Sequence, residues 1–108
     1  MDCVFCKIRD RIIPKEFTYE DDSVMVFPDI RPLKPIHLLI IPKKHIKDLL
    51  MMKDNELTIK LMGVIKKMIK KQKIEDKGYR LTMHGGGAQV VNHLHIHLMG
   101  PLGKAVEM

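Results

Sequence analysis

The stretch His93-Leu94-His95-Ile96-His97-Leu98 alternates imidazole and branched aliphatic side chains with strict period two. An extended backbone sorts such a pattern onto two faces, because successive strand side chains point opposite ways. Leu94, Ile96 and Leu98 then belong to a core. The imidazole face has no comparable packing role, since rings about 6 to 7 Å apart on one strand face pack poorly and oppose each other's protonation. Two functional readings compete: a row of metal ligands, or a nucleophile with supporting groups. Both need neutral imidazole near pH 7, which an ordinary pKa of about 6.5 permits.

The rest of the chain supplies short elements around this strand. Val4, Phe5, Ile8 and Ile12 predict a short helix over residues 4–11, ended by Pro14. Residues 17–20 and 24–27 are β-prone and are separated by Asp21, Asp22 and Ser23, which reads as a hairpin. Pro32 and Pro35 force a loop before the β-prone run 37–41, and Pro42 closes that strand. Asp54 is a candidate N-cap for a long helix carrying Leu57, Leu61, Val64, Ile65 and Met68 at helical spacing, with Gly78 as its stop. Residues 79–83 and 90–98 are the last two strands, joined by a turn at Gly85, Gly86 and Gly87. The expected fold class is α+β: an antiparallel sheet of about five strands, covered on one face, with one long and one short helix. No repeat or linker divides the chain, so one domain over residues 1–108 is expected. A domain of this size buries only about two-thirds of its unfolded surface, and a second chain covering a sheet edge is expected.

A net charge of +6 fits nucleic acid, anionic membranes or phosphorylated small molecules alike. Much of it comes from Lys60, Lys66, Lys67, Lys70, Lys71 and Lys73, which read as a solvated helix face. Nucleic-acid modules interleave basic and aromatic groups, yet the chain has no Trp, 3 Phe and 2 Tyr, which argues against that partner. Asp2, Lys7, Arg9, Asp10 and Arg11 interrupt any leader-like run, and no apolar run nears the roughly 20 residues of a membrane span. A cytoplasmic protein with reduced cysteines is expected. Cys3-x-x-Cys6 reads as a redox pair, half a zinc site or a coincidence; a thioredoxin-like motif would need a preceding strand, for which two residues leave no room.

The segment Gln89-Val90-Val91-Asn92-His93-Leu94-His95-Ile96-His97 resembles the triad of the histidine-triad (HIT) family. Phe5-Cys6-Lys7-Ile8, Ile13-Pro14, Phe27 with Asp29-Ile30, Pro35 to His37, and Ile41-Pro42-Lys43-Lys44-His45-Ile46 are similar to the Hint-like branch in the same order. The resemblance implies a hydrolase or transferase acting at the α-phosphate of purine nucleoside monophosphate derivatives, of phosphoramidase type, through a nucleotidyl-histidine. His95 matches the nucleophile, and His97 matches a catalytic group that binds a phosphate oxygen. A dinucleoside polyphosphate hydrolase, or a nucleotide-binding or regulatory protein with negligible turnover, are the alternatives.

The nucleotide-binding set implied by the resemblance is Phe5, Ile8, Ile13, Phe27, Asp29, Ile30, His84, Gln89 and His97. Asp29 would hold the ribose hydroxyls, against the plainer reading of an Asx turn; the apolar members would wall the base, against plain core. The glycines at 85–87 would bring backbone N–H groups to phosphate or simply make a tight turn. The resemblance also implies a structural zinc held by Cys3, Cys6, His45 and His93, no organic cofactor, and a homodimer. The chain departs from the pattern at Val90, where a Ser or Thr is usual, at His84, commonly Asn, and in a turn about two residues shorter. Val90→Ser is expected to add a donor near the phosphate. His37 receives no role.

Overall fold

In the computed structural model, which describes residues 2–103, 105 and 106, five antiparallel strands form one sheet: β1 (Tyr19–Glu20), β2 (Val24–Pro28), β3 (Ile36–Pro42), β4 (Arg80–Met83) and β5 (Ile96–Gly100), in the order β1-β2-β3-β5-β4. The ends of the expected domain, Met1, Lys104, Glu107 and Met108, lie outside the described residues. Helix α1 (Val4–Arg9) precedes the sheet, and α2 (Asn55–Lys71) links β3 to β4 after a 3-10 turn, Leu49–Met51. This is the expected α+β class. No helix of the described residues is long and apolar enough to cross a membrane.

Both faces of the central strands are buried, whereas the sequence reading covered only one. Val24, Val26, Leu38, Ile40 and Leu98 join the α2 residues Leu57, Leu61, Val64, Ile65, Met68 and Ile69 in the larger core. Met25, Phe27, Leu39 and Ile41 alternate with them and pack against Cys3, Phe5 and Ile8 on the α1 side. The reason is that α1, although only six residues long, lays Phe5 and Ile8 flat on the second face.

Three element boundaries differ from the expectation. Helix α1 ends well before Pro14: Arg11 turns left-handed at φ 64, and the N–H groups of Ile12 and Arg11 bond the carbonyls of Lys7 and Ile8. Helix α2 closes in the same way, with Lys73 at φ 59 and Ile74 and Lys73 reaching back to Ile69 and Lys70, so Gly78 does not stop it. This double bond is the usual C-terminal cap, here built without glycine, the residue that normally signals it. Gly78, also left-handed, instead accepts from Leu102 N–H at 2.7 Å. The third difference is β5, which begins at Ile96, not residue 90, because the Leu94 N–H pairs with the Ile46 carbonyl outside the sheet.

Candidate active site and metal centre

The alternation over residues 93–98 survives although only its second half is ladder-paired. Leu94 and Leu98 enter the α2-side core, with Ile96 packed against it. On the other side Phe5 meets His95 and His93 edge-on, at ring-centroid distances of 5.1 and 5.7 Å, and His95 lies 5.1 Å from His97. A fourth imidazole joins them from β3. His37, buried, sets Nε2 2.9 Å from His97 Nδ1.

The hydrogen bonds fix which nitrogen of each ring holds its proton. Leu33 N–H lies 3.1 Å from His37 Nδ1, and a backbone N–H only donates, so His37 Nδ1 accepts and its proton sits on Nε2. That proton is donated to His97 Nδ1, which leaves His97 with an Nε2–H donor on the ring edge away from His37. His95 is set oppositely. Its Nδ1 lies 2.8 Å from the His93 carbonyl, a pure acceptor, so Nδ1 holds the proton and Nε2 keeps a free lone pair. A nucleophilic nitrogen and an N–H donor therefore stand on neighbouring rings.

Burial pushes the pKa of His97 down to about 4, helped by the neighbouring His95 and His37. The unfolded chain then binds a proton between about pH 6.5 and 4 that the folded chain refuses, so stability falls as pH falls through that window. Denaturant midpoints at pH 7 and pH 5 should show this loss, and His97→Gln should make it shallower. An equal slope in the variant would contradict the assignment.

The two oxygens of Asp29 have different partners. Oδ1 accepts Arg31 N–H at 2.8 Å, an Asx turn, while Oδ2 faces His37 Nε2 at 3.4 Å and His97 Nδ1 at 3.8 Å. Of the expected base wall, Phe5, Ile8 and Phe27 are buried core, Ile13 is half-buried and Ile30 exposed. His84 sits edge-on to His97 at 5.9 Å. Gln89 is buried, accepting Gly87 N–H and donating to the Lys47 carbonyl. Gly86 and Gly87 need their positive φ of 65 and 97, but Gly86 N–H is taken by Asp48 Oδ2 and Ala88 N–H by the Gly85 carbonyl. The turn amides are thus already satisfied within the chain.

Val90 is 97% exposed and borders a groove beside Cys3 and His45. A hydroxyl there meets water, contrary to the expectation from sequence. Val90→Ser should change turnover by no more than about twofold, the scale of an ordinary surface substitution. A tenfold gain would show that the side chain turns inward during the reaction.

Cys3, Cys6, His45 and His93 converge with their ligand atoms within 4.8 Å of one another. Cys3 Sγ and Cys6 Sγ lie 3.4 and 3.6 Å from His93 Nδ1, and Cys6 Sγ lies 3.3 Å from His45 Nδ1. Tetrahedral zinc with its usual bond lengths sets sulfur and nitrogen about 3.5 Å apart, so the donor set fits. His93 Nε2 donates to the Pro42 carbonyl at 2.7 Å, which leaves Nδ1 unprotonated and aimed at the cluster. Burial pushes the pKa of His93 down to about 4, to the same effect. Asp29, His37 and His97 form a second close group, but it fails this test: His37 Nε2 carries the proton a metal would have to displace.

The family described as scavenger mRNA decapping enzyme C-term binding matches residues 2–106. A 14 kDa zinc-binding protein from Brassica juncea is 40% identical over 106 residues, covering 92% of each chain. A HIT family hydrolase from Legionella pneumophila superposes with a TM-score of 0.84 at 42% identity, over 92% of each chain. A histidine triad nucleotide-binding protein from Candida albicans does so with 0.83 at 33% identity, over 90% of this chain and 73% of its own. With the imidazole row, the four-ligand cluster and these likenesses in agreement over nearly the whole length, the chain belongs to the histidine-triad family.

Proposed function

We propose that this protein is a nucleotide-binding hydrolase or transferase of phosphoramidase type, acting at the α-phosphate of purine nucleoside monophosphate derivatives. The opposite tautomers of His95 and His97 carry the reading. His95 Nε2 has the lone pair to attack phosphorus, forming an N–P bond as the leaving amine departs with the electrons of its own bond to phosphorus and a proton from solvent, which the hydrolysing water later replaces. His97 Nε2–H donates to a phosphate oxygen as charge builds there. Water then cleaves the N–P bond and returns His95 to its starting state. Asp29 Oδ2 would take the ribose hydroxyls, and Ile13 and Ile30 would border the base. The similar Legionella protein, a HIT family hydrolase, and the Candida one, a nucleotide-binding protein, agree with this chemistry.

The test is direct: adenosine phosphoramidate mixed with the protein should release AMP and ammonia. A second reading, nucleotide binding with negligible turnover, is favoured by the turn amides already satisfied by Asp48, Gln89 and Gly85. Tight binding of AMP with no release from the phosphoramidate would select it.

Zinc at Cys3, Cys6, His45 and His93 would be structural, joining the start of α1 to the residues before β5. A homodimer would use the β4 edge, where Leu81 and Met83 are left partly exposed. Light scattering of the purified protein checks that assignment.

A further inference from the structure

Three features of the four-ligand cluster bear on the chemistry of its sulfurs. Cys6 is partly exposed. A groove of about 460 Å³, bordered by Asp2, Val4, Val90, Val91 and Asn92, opens onto the other side of the cluster at Cys3 and His45. The two sulfurs belong to one turn of chain, with Cys6 N–H bonded to Cys3 Sγ at 3.4 Å, so neither has to travel far to meet the other. Small molecules can therefore approach the cluster at Cys6 and through the groove.

From this geometry we infer that Cys3 and Cys6 are an oxidation site for hydroperoxides, forming a disulfide and expelling the metal through the groove. The inference rests on the zinc reading above. Cys6 thiolate attacks the nearer peroxide oxygen, giving a sulfenic acid, and the displaced alkoxide or hydroxide takes a proton. Cys3 thiolate then attacks the Cys6 sulfur and expels hydroxide, which takes a second proton. Two thiolates lose two electrons, the peroxide gains them as an alcohol or water plus one water, and the divalent ion leaves with only two histidine ligands behind. Residues three apart at a helix start lie within reach of disulfide geometry.

The modification has a route to the imidazole row. His93 aims Nδ1 at the cluster, where it would ligate the zinc, and its own carbonyl accepts the His95 Nδ1–H at 2.8 Å. When the ion leaves, His93 keeps its Nε2–H bond to the Pro42 carbonyl but loses the one at Nδ1, so the ring is held at a single nitrogen and the orientation of His95 loosens with it.

Metal analysis of the freshly purified chain first reports on the zinc reading by itself. Hydrogen peroxide is then added in small excess, with zinc followed by a chromogenic chelator, thiols by titration and the Cys3–Cys6 peptide by mass. The expected result is loss of both thiols, a mass decrease of about 2 Da for a disulfide, release of bound zinc in step, and full reversal by dithiothreitol with zinc. Cys6→Ser should abolish the mass change. Thiols that stay reduced in a zinc-loaded protein, or a peptide that gains oxygen instead of losing hydrogen, overturn the proposal. Disulfide formation in protein purified without zinc supports the modification while overturning the zinc reading. In the oxidised protein the His95 ring N–H resonance should shift and AMP release should fall by about fivefold. An unshifted resonance with undiminished release overturns the route to His95.

Discussion

His95→Ala is expected to lower AMP release from adenosine phosphoramidate by at least about a thousandfold while the far-ultraviolet spectrum stays that of the parent. The size of the effect follows from how the neighbouring rings are committed. His97 cannot take over, because its Nδ1 is occupied by His37 and its Nε2 carries a proton. His37 is locked by Leu33 and His97 at both nitrogens, and His93 by Pro42 and the cysteines. His84 alone among these imidazoles is exposed, and it faces the edge of His97 rather than His95. Near-normal turnover in the variant would sink the nucleophile assignment, and a collapsed spectrum would be met by His95→Gln, whose amide fills most of the space without a competent lone pair.

The second large effect belongs to the cluster of Cys3, Cys6, His45 and His93. The purified protein should hold about one zinc per chain, and Cys3→Ser combined with Cys6→Ser should lower the melting temperature by more than about 10 °C. A structural ion supplies folding free energy of several kcal/mol, and at a temperature where the variant is folded its turnover should fall by less than about tenfold. A variant that melts normally but turns over a thousandfold more slowly would make the cluster part of the chemistry, and metal-free protein with a normal melting temperature would remove the zinc.

Much of this site was legible because side-chain parity is a local property of the sequence. His93, His95 and His97 share a face whether or not their backbone is paired, so the error of six residues in the start of β5 moved no imidazole off that face. The same parity held a signal for His37 that went unused: in a central strand whose other residues are apolar, its position places it with Leu39 and Ile41, on the side away from α2. What parity could not reveal is which groups lie across the chain from one another. The Leu33 N–H that sets the His37 tautomer and the Asp48 carboxylate on Gly86 come from loops whose paths depend on the whole fold. Helix ends were misplaced for a different reason, since Arg11 and Lys73 adopt a backbone conformation that glycine usually announces, and Arg11 is held there by Glu20 and the Phe17 ring.

The sheet assigns its two faces to different tasks, and mutations should respect that division. Truncating Leu61, Met68 or Leu98 removes packing from the α2 side and should cost about 2 to 5 kcal/mol each. Because those side chains point away from the imidazoles, the folded fraction should drop while each folded molecule keeps its parent rate and pH profile. Changes at Leu39 or Phe5, on the opposite face, should alter rate and stability together. A library of single variants plotted as activity against abundance would then separate into two branches. Drift along the first leaves the chemistry untouched, which gives the long helix freedom to change its surface and its contacts while the imidazole row stays fixed.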